Sequence, residues 1–236
     1  MLTTSAAKMA MIMEPSAPET PNIPVDTYLT PYRDAHDEHG SSFGVTLWGS
    51  PRTQVRRFEV FAQLVYLHGK RVLDAGCSRG DFAAWMIQQD IKYDRYVGVD
   101  GLDEVIAYAR RRNLPRATFY SGDFLTQPAL LRKANPQVIV ISGTLNTMDD
   151  EQVFQTLEAA WQATGETLLF NFLSDRVGSR AAEQRYPSRR LDTLRLLDWA
   201  LRQTWAVQYR QDYFADGHDG TILMTRPAAM VGHMRV

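Results

Sequence analysis

Two hydrophobic periods alternate along the chain. In "TQVRRFEVFAQLVYL", Val55, Phe58, Phe61, Ala62 and Val65 fall on one face of a wheel, which predicts an amphipathic helix. The pattern then shortens. "KRVLDAG" reads as a strand and "DFAAWMIQQ" as a helix. "YVGVD" reads as a strand, and "LDEVIAYARRR" as a helix stopped by Asn113 and Pro115. "ATFYSGD" is a short strand with a turn. "PQVIVISG" is almost wholly apolar, as a strand covered on both faces should be. "DEQVFQTLEAAWQAT" is a helix with acids in its first turn, where the helix dipole favours them. "ETLLFNFLSD" is a strand, "RVGSRAAEQRYPSRR" an arginine-rich connector and "LDTLRLLDWALRQ" a helix. "AVQYRQDYF", "ADGHDG" and "TILMTR" read as strand, turn and strand. This alternation predicts an α/β fold: a mostly parallel, seven-stranded sheet with helices on both faces and a C-terminal antiparallel hairpin.

The pattern also divides the chain. Residues 1–24 hold Met, Ala, Ser, Thr and Pro without periodicity and are expected to be a disordered arm. Residues 25–69 form a cap and a helix, with "DTYLTPYRDAHDEHGSSFGVTLWGS" as a partly ordered polar segment rich in aromatics. Residues 70–228 form the main domain and residues 229–236 a tail.

Composition narrows the options. A formal net charge of -1 over 236 residues lacks the basic excess of a nucleic-acid-binding surface. The only cysteine is Cys77, so neither a disulfide framework nor a thiolate metal cluster is expected. That suits a cytoplasmic protein. No apolar run approaches the ~20 residues of a membrane-spanning helix. The opening "MLTTSAAKMAMIM" is too short and interrupted for a signal peptide.

The chemistry concentrates in "RVLDAGCSRGDFAAWM", residues 71–86. A buried strand ends on Asp74, turns on Gly76 around a small Ser78, and restarts as a helix near Gly80. In open parallel sheets, ligands sit beyond the carboxyl ends of the strands. Gly76 lets backbone approach a ligand closely. The spacing is D-x-G-x-S-x-G, not the GxGxxG of dinucleotide proteins. A carboxylate there repels a pyrophosphate and favours a cation. Asp100 ends the second strand, where it can accept both hydroxyls of a ribose, and Asp123 ends the third. Three successive strands ending in acids point to a ligand more than to chance loop composition.

These motifs resemble the class I S-adenosylmethionine-dependent methyltransferases over about residues 50–226. The resemblance implies a Rossmann-like fold that takes S-adenosylmethionine and releases S-adenosylhomocysteine. It assigns Asp74, Gly76 and Gly80 to the amino acid end of that cofactor and Asp100 to its ribose. It places Asp123 and the backbone of Phe124 by the adenine, and Ser142 with Gly143 along the methionine moiety. Ser78 stands where the family commonly has glycine. "WGSPRTQVRRF" and "RQDY" resemble, more narrowly, a group of bacterial methyltransferase-domain proteins of undefined substrate.

The cap and rim supply further candidates. Gln54 falls inside the apolar stripe and Arg57 at its edge. Arg57 either pairs its fork with the cofactor carboxylate, with Gln54 in support, or snorkels to solvent. Trp48 either packs against the ligand or anchors the cap. A base is required only if the acceptor holds a proton that it does not lose easily. Position selects Asn146, Asn171, Tyr213 and His218, together with Asp175, His36 and His39, although the setting of His218 in "ADGHDG" is ordinary turn composition. No metal is expected at His36 and His39, which lack a recognisable ligand spacing. The segment "SGTLN" after the fourth strand lacks the motif of nucleic-acid amino methyltransferases, and the one cysteine lies in the first turn rather than there. The expected acceptor is therefore a small molecule, attacked through O, N or C, on a soluble monomer or homodimer without nucleic-acid or membrane partners. Two rivals stand beside this reading: a cofactor-binding protein without catalysis, and an NAD-dependent oxidoreductase on a related fold.

Overall fold

The computed structural model describes residues 27–179 and 181–227. The arm and the tail expected at the two ends lie outside them. Seven strands form one sheet: β1 (Arg71–Ala75), β2 (Arg95–Asp100), β3 (Ala117–Ser121), β4 (Val138–Ser142), β5 (Thr167–Leu173), β6 (Val207–Arg210) and β7 (Asp219–Thr225). Their order is β3-β2-β1-β4-β5-β7-β6. The first five strands run parallel, and β7 lies antiparallel to both β5 and β6. The order reverses between β1 and β4. A crevice therefore opens beyond their carboxyl ends, where α/β sheets take ligands.

The helices are α1 (Thr30–His39), α2 (Pro51–Leu64), α3 (Asp81–Gln88), α4 (Asp103–Arg111), α5 (Asp150–Ala163) and α6 (Thr193–Gln203). They cover two separate cores. Ile139, Ile141, Phe170 and Leu157 pack on one face of the sheet, and Val138, Val140, Phe82 and Phe61 on the other. The alternation of β4 between the two clusters is why its sequence is continuously apolar. Local signals set the helix ends. Ser50 caps α2 by accepting the Thr53 N–H, with Pro51 in the first turn. Asp149 and Gln152 form a reciprocal capping box on α5.

Three boundaries differ from the sequence reading. Helix α2 ends at Leu64, and Val65, expected on its apolar face, is already extended. The last two strands shift: β6 stops at Arg210, and β7 begins at Asp219, where its pairing with Leu173 of β5 starts. Helix α1 replaces an irregular cap. It buries little more than Pro31 and Ala35, a face too narrow for the periodicity to reveal.

Candidate active site

A cavity of about 310 Å³ lies beyond the carboxyl ends of β1, β2 and β4. Its floor is the first turn. Gly76 adopts a φ of +82°, which favours glycine, and a Cβ there would strike the Thr144 hydroxyl. Asp74 lines the cavity almost fully buried and accepts the Tyr96 hydroxyl at 2.5 Å. Burial pushes its carboxyl up to about 7, against the pull of that hydrogen bond. Asp100 faces the same cavity and accepts the backbone N–H of Ser78 at 2.8 Å and of Leu102 at 3.1 Å. Burial pushes it up to about 6, with those N–H groups acting in the opposite sense. Two carboxylates thus converge on the space that the glycine turn leaves open. That donor set suits a cation and a diol, not a diphosphate.

The cap roofs this space. Leu29 packs so closely on Gly101 that a Cβ there would lie 2.6 Å from it. The Tyr28 hydroxyl donates to Asp123 at 2.6 Å, and Asp123 also accepts the Leu125 N–H at 2.9 Å. Asp123 itself does not line the cavity, whereas Phe124 does. Gly80 also stands back from it, in a left-handed conformation that lets Phe119 pack against its backbone. Trp48 packs on Gly143, whose φ of +78° turns the chain after β4. Asn171 fixes that turn from below by accepting the Gly143 N–H at 2.8 Å and donating to Ser142 at 3.3 Å.

Residues 72–166 match a family model described as a methyltransferase domain. The chain's sheet has the Rossmann-like fold of the class I methyltransferases. No curated protein matches the chain in sequence. Among solved structures, phosphoethanolamine N-methyltransferase 1 from Haemonchus contortus, in complex with phosphoethanolamine and S-adenosylhomocysteine, aligns at a TM-score of 0.62 and 13% identity. That alignment covers 84% of this chain and 48% of that one, so the chain spans about half of that enzyme. Magnesium protoporphyrin IX methyltransferase from Synechocystis PCC 6803, with bound S-adenosylhomocysteine, aligns at 0.57 and 12% identity over 84% and 94% of the two chains. The small RNA methyltransferase HEN1 aligns at 0.61 and 12% identity over 73% and 25%. At these identities the likeness is one of fold.

The residues around the rim of the cavity depart most from the sequence reading. Arg57 is buried, but its fork is neither open to a ligand carboxylate nor in solvent. Its Nε donates to Asp219 at 2.9 Å, one terminal nitrogen donates to the other Asp219 oxygen, and the second donates to the Thr53 carbonyl at 2.8 Å. The Trp48 ring lies 4.1 Å from its guanidinium carbon. The correction has a plain cause: a carboxylate 162 positions away supplies the charge that burial demands. Tyr213 is buried, bonds to the Thr221 hydroxyl at 2.8 Å and does not line the cavity. Asp175 accepts the N–H of Thr193, the first residue of α6, at 2.9 Å, while Asp192 is the N-cap. Asn146 and His218 do line the cavity. Asn146 accepts the Leu173 N–H at 2.9 Å, and His218 stacks on Phe214 at 4.5 Å. His36 and His39 sit on α1, and among the described residues no cluster of His, Cys, Asp or Glu is placed to hold a metal. No described helix is long and apolar enough to cross a membrane. The sequence reading missed Tyr28, Leu29, Tyr32 and Leu102 as cavity residues, because nothing in their local pattern marks them as roof.

Proposed function

We propose that the chain binds S-adenosylmethionine and transfers its methyl group to a small-molecule acceptor. One observation carries this reading: Asp74 and Asp100 face a single cavity across the Gly76 turn. When bound, the cofactor supplies a methyl carbon on positive sulfur. Asp74 would hold its ammonium, Asp100 its ribose hydroxyls, and the Phe124 ring would pack by its adenine. The roof of Tyr28, Leu29 and Tyr32 encloses the site and keeps water from it. Enclosure also favours a small acceptor over a polymer, and the net charge of -1 supports that choice, although one structural neighbour is an RNA enzyme. The two buried acids disfavour NAD, whose diphosphate would meet them.

Calorimetric titration with S-adenosylmethionine, S-adenosylhomocysteine and NAD in parallel tests the reading. Heat from the two adenosyl ligands alone supports it. Binding of NAD in their place would falsify it, and cofactor binding with no turnover on any acceptor would reduce the chain to a binding protein.

A further inference from the structure

The acceptor end of the cavity holds a histidine set between two carboxylates. His218 precedes β7, and the antiparallel pairing of β7 with β5 brings it to the carboxyl end of the sheet beside Leu173. There it lines the cavity together with Gln54, Asn146 and Trp48. Its Nδ1 lies 2.5 Å from Asp216. The His218 ring holds the Asp216 carboxyl below the usual carboxylate range. An ionised carboxylate only accepts, so Nδ1 carries the proton and Nε2 is left bare in the neutral ring. Nε2 lies 3.2 Å from Asp219, without the alignment of a hydrogen bond. Asp219 is anchored on Arg57, and Arg190 acts on both Asp216 and Asp219 from the connector. A proton arriving at Nε2 would therefore meet a negative neighbour already in place.

The rest of this end is polar but carries no free charge. Arg57 is its only guanidinium or ammonium among the described residues, and Asp219 neutralises it. Asn146 (5% exposed) uses its carbonyl oxygen on Leu173, leaving its amide N–H groups without a partner among the described residues. The side chain of Gln54 (7% exposed) is likewise without a hydrogen bond there. Trp48, Tyr32 and Phe58 add flat apolar surface.

We infer that the acceptor is a small molecule with a hydroxyl of phenolic acidity, and that His218, oriented by Asp216, takes the proton of that hydroxyl. The inference rests on the methyl-transfer reading above. The hydroxyl oxygen bonds to the methyl carbon as the carbon–sulfur bond breaks. That electron pair stays on sulfur, the hydroxyl proton passes to Nε2, and solvent later removes it. An imidazole matches a phenol of pKa about 10 far better than an aliphatic alcohol, while an anionic acceptor would need no base and would find no free cation.

The test compares wild type, His218→Gln and Asp216→Asn across a panel of phenols, catechols, aliphatic alcohols, amines and carboxylates, from pH 5.5 to 9. The expected result is turnover on a phenolic acceptor, with kcat/KM falling on the acid side. At saturating cofactor, which removes the effect of the Asp74 and Asp100 titrations, His218→Gln should lower kcat by about 10²–10⁴-fold and abolish the acid limb. S-adenosylhomocysteine affinity should stay within twofold in both variants. Nitrogen NMR of the ring should show Nε2 bare at high pH in wild type and a tautomer mixture in Asp216→Asn. A wild-type rate in His218→Gln, or turnover confined to amines or carboxylates, overturns the inference alone. Failure of the wild type to turn over any acceptor overturns the methyl-transfer reading as well.

Discussion

Arg57 on α2 and Asp219 at the start of β7, 162 positions apart in the chain, form a buried two-pronged ion pair. It fastens the helix before the first strand to the last strand of the sheet. Both side chains are almost fully excluded from solvent, so each charge depends on the other. The same pair gives the rim its shape, because Trp48 and Phe214 both pack on the guanidinium.

Arg57→Met should therefore destabilise the fold by about 3–5 kcal/mol, since it strands a buried carboxylate. Asp219→Asn strands the guanidinium and should also destabilise. Arg57→Met combined with Asp219→Leu should recover most of the loss. Urea unfolding of the two single variants and the double variant checks this. A double variant no better than the worse single one would show that the pair is not the source of the effect.

The two cavity acids make a prediction in pH. Burial raises Asp74 to about 7 and Asp100 to about 6, both above the ordinary value of about 4. From about pH 4 to 7 the folded, ligand-free chain binds more protons than the unfolded one, so these groups lose stability for it as pH rises. Cofactor affinity should move the opposite way and strengthen from pH 5.5 to 8, as both carboxylates ionise. The difference in melting temperature between Asp74→Asn and wild type should grow with pH in favour of the variant, and calorimetry should show its affinity weakened at pH 8. A pH-independent difference would refute the assignment of the raised carboxyl.

Gly76→Ala should abolish cofactor binding. The new methyl meets the Thr144 side chain, and the backbone lies at a φ of +82°. Pairing it with Thr144→Ala removes the collision but not the backbone strain, so rescue should be partial. Equilibrium dialysis with S-adenosylhomocysteine reads the outcome, and wild-type affinity in Gly76→Ala would contradict it.

Tyr28→Phe removes the hydroxyl that reaches Asp123 and keeps the ring packed on Phe124. The expected cost is about 1 kcal/mol of stability, near the net value of one hydrogen bond. Amide exchange over residues 28–32 should quicken, and S-adenosylhomocysteine should dissociate faster. Unchanged exchange there would mean that the roof is held by packing alone.

Much of this was legible in the sequence, for physical reasons. The continuous apolar run at Val138–Ile141 reports a strand covered on both faces, and Asp74 and Asp100, polar residues at the carboxyl ends of apolar strands, both line the cavity. What stayed hidden depends on distant partners. The helical pattern sets Arg57 at the edge of an apolar face, but its mate lies at the other end of the chain. Tyr213 looked equally available in sequence, yet its hydroxyl is taken by Thr221. Helix α1 buries too few residues to show a period. The role of "ADGHDG" as more than a turn emerges only when β7 carries it back to β5.

The clasp between α2 and β7 also bears on how the chain is made. During synthesis Arg57 leaves the ribosome long before Asp219 exists, so α2 stays unfastened until β7 is made. Any premature stop ahead of residue 219 would leave Arg57 without its carboxylate, so the guanidinium would stay in water and α2 would lose its hold on the sheet.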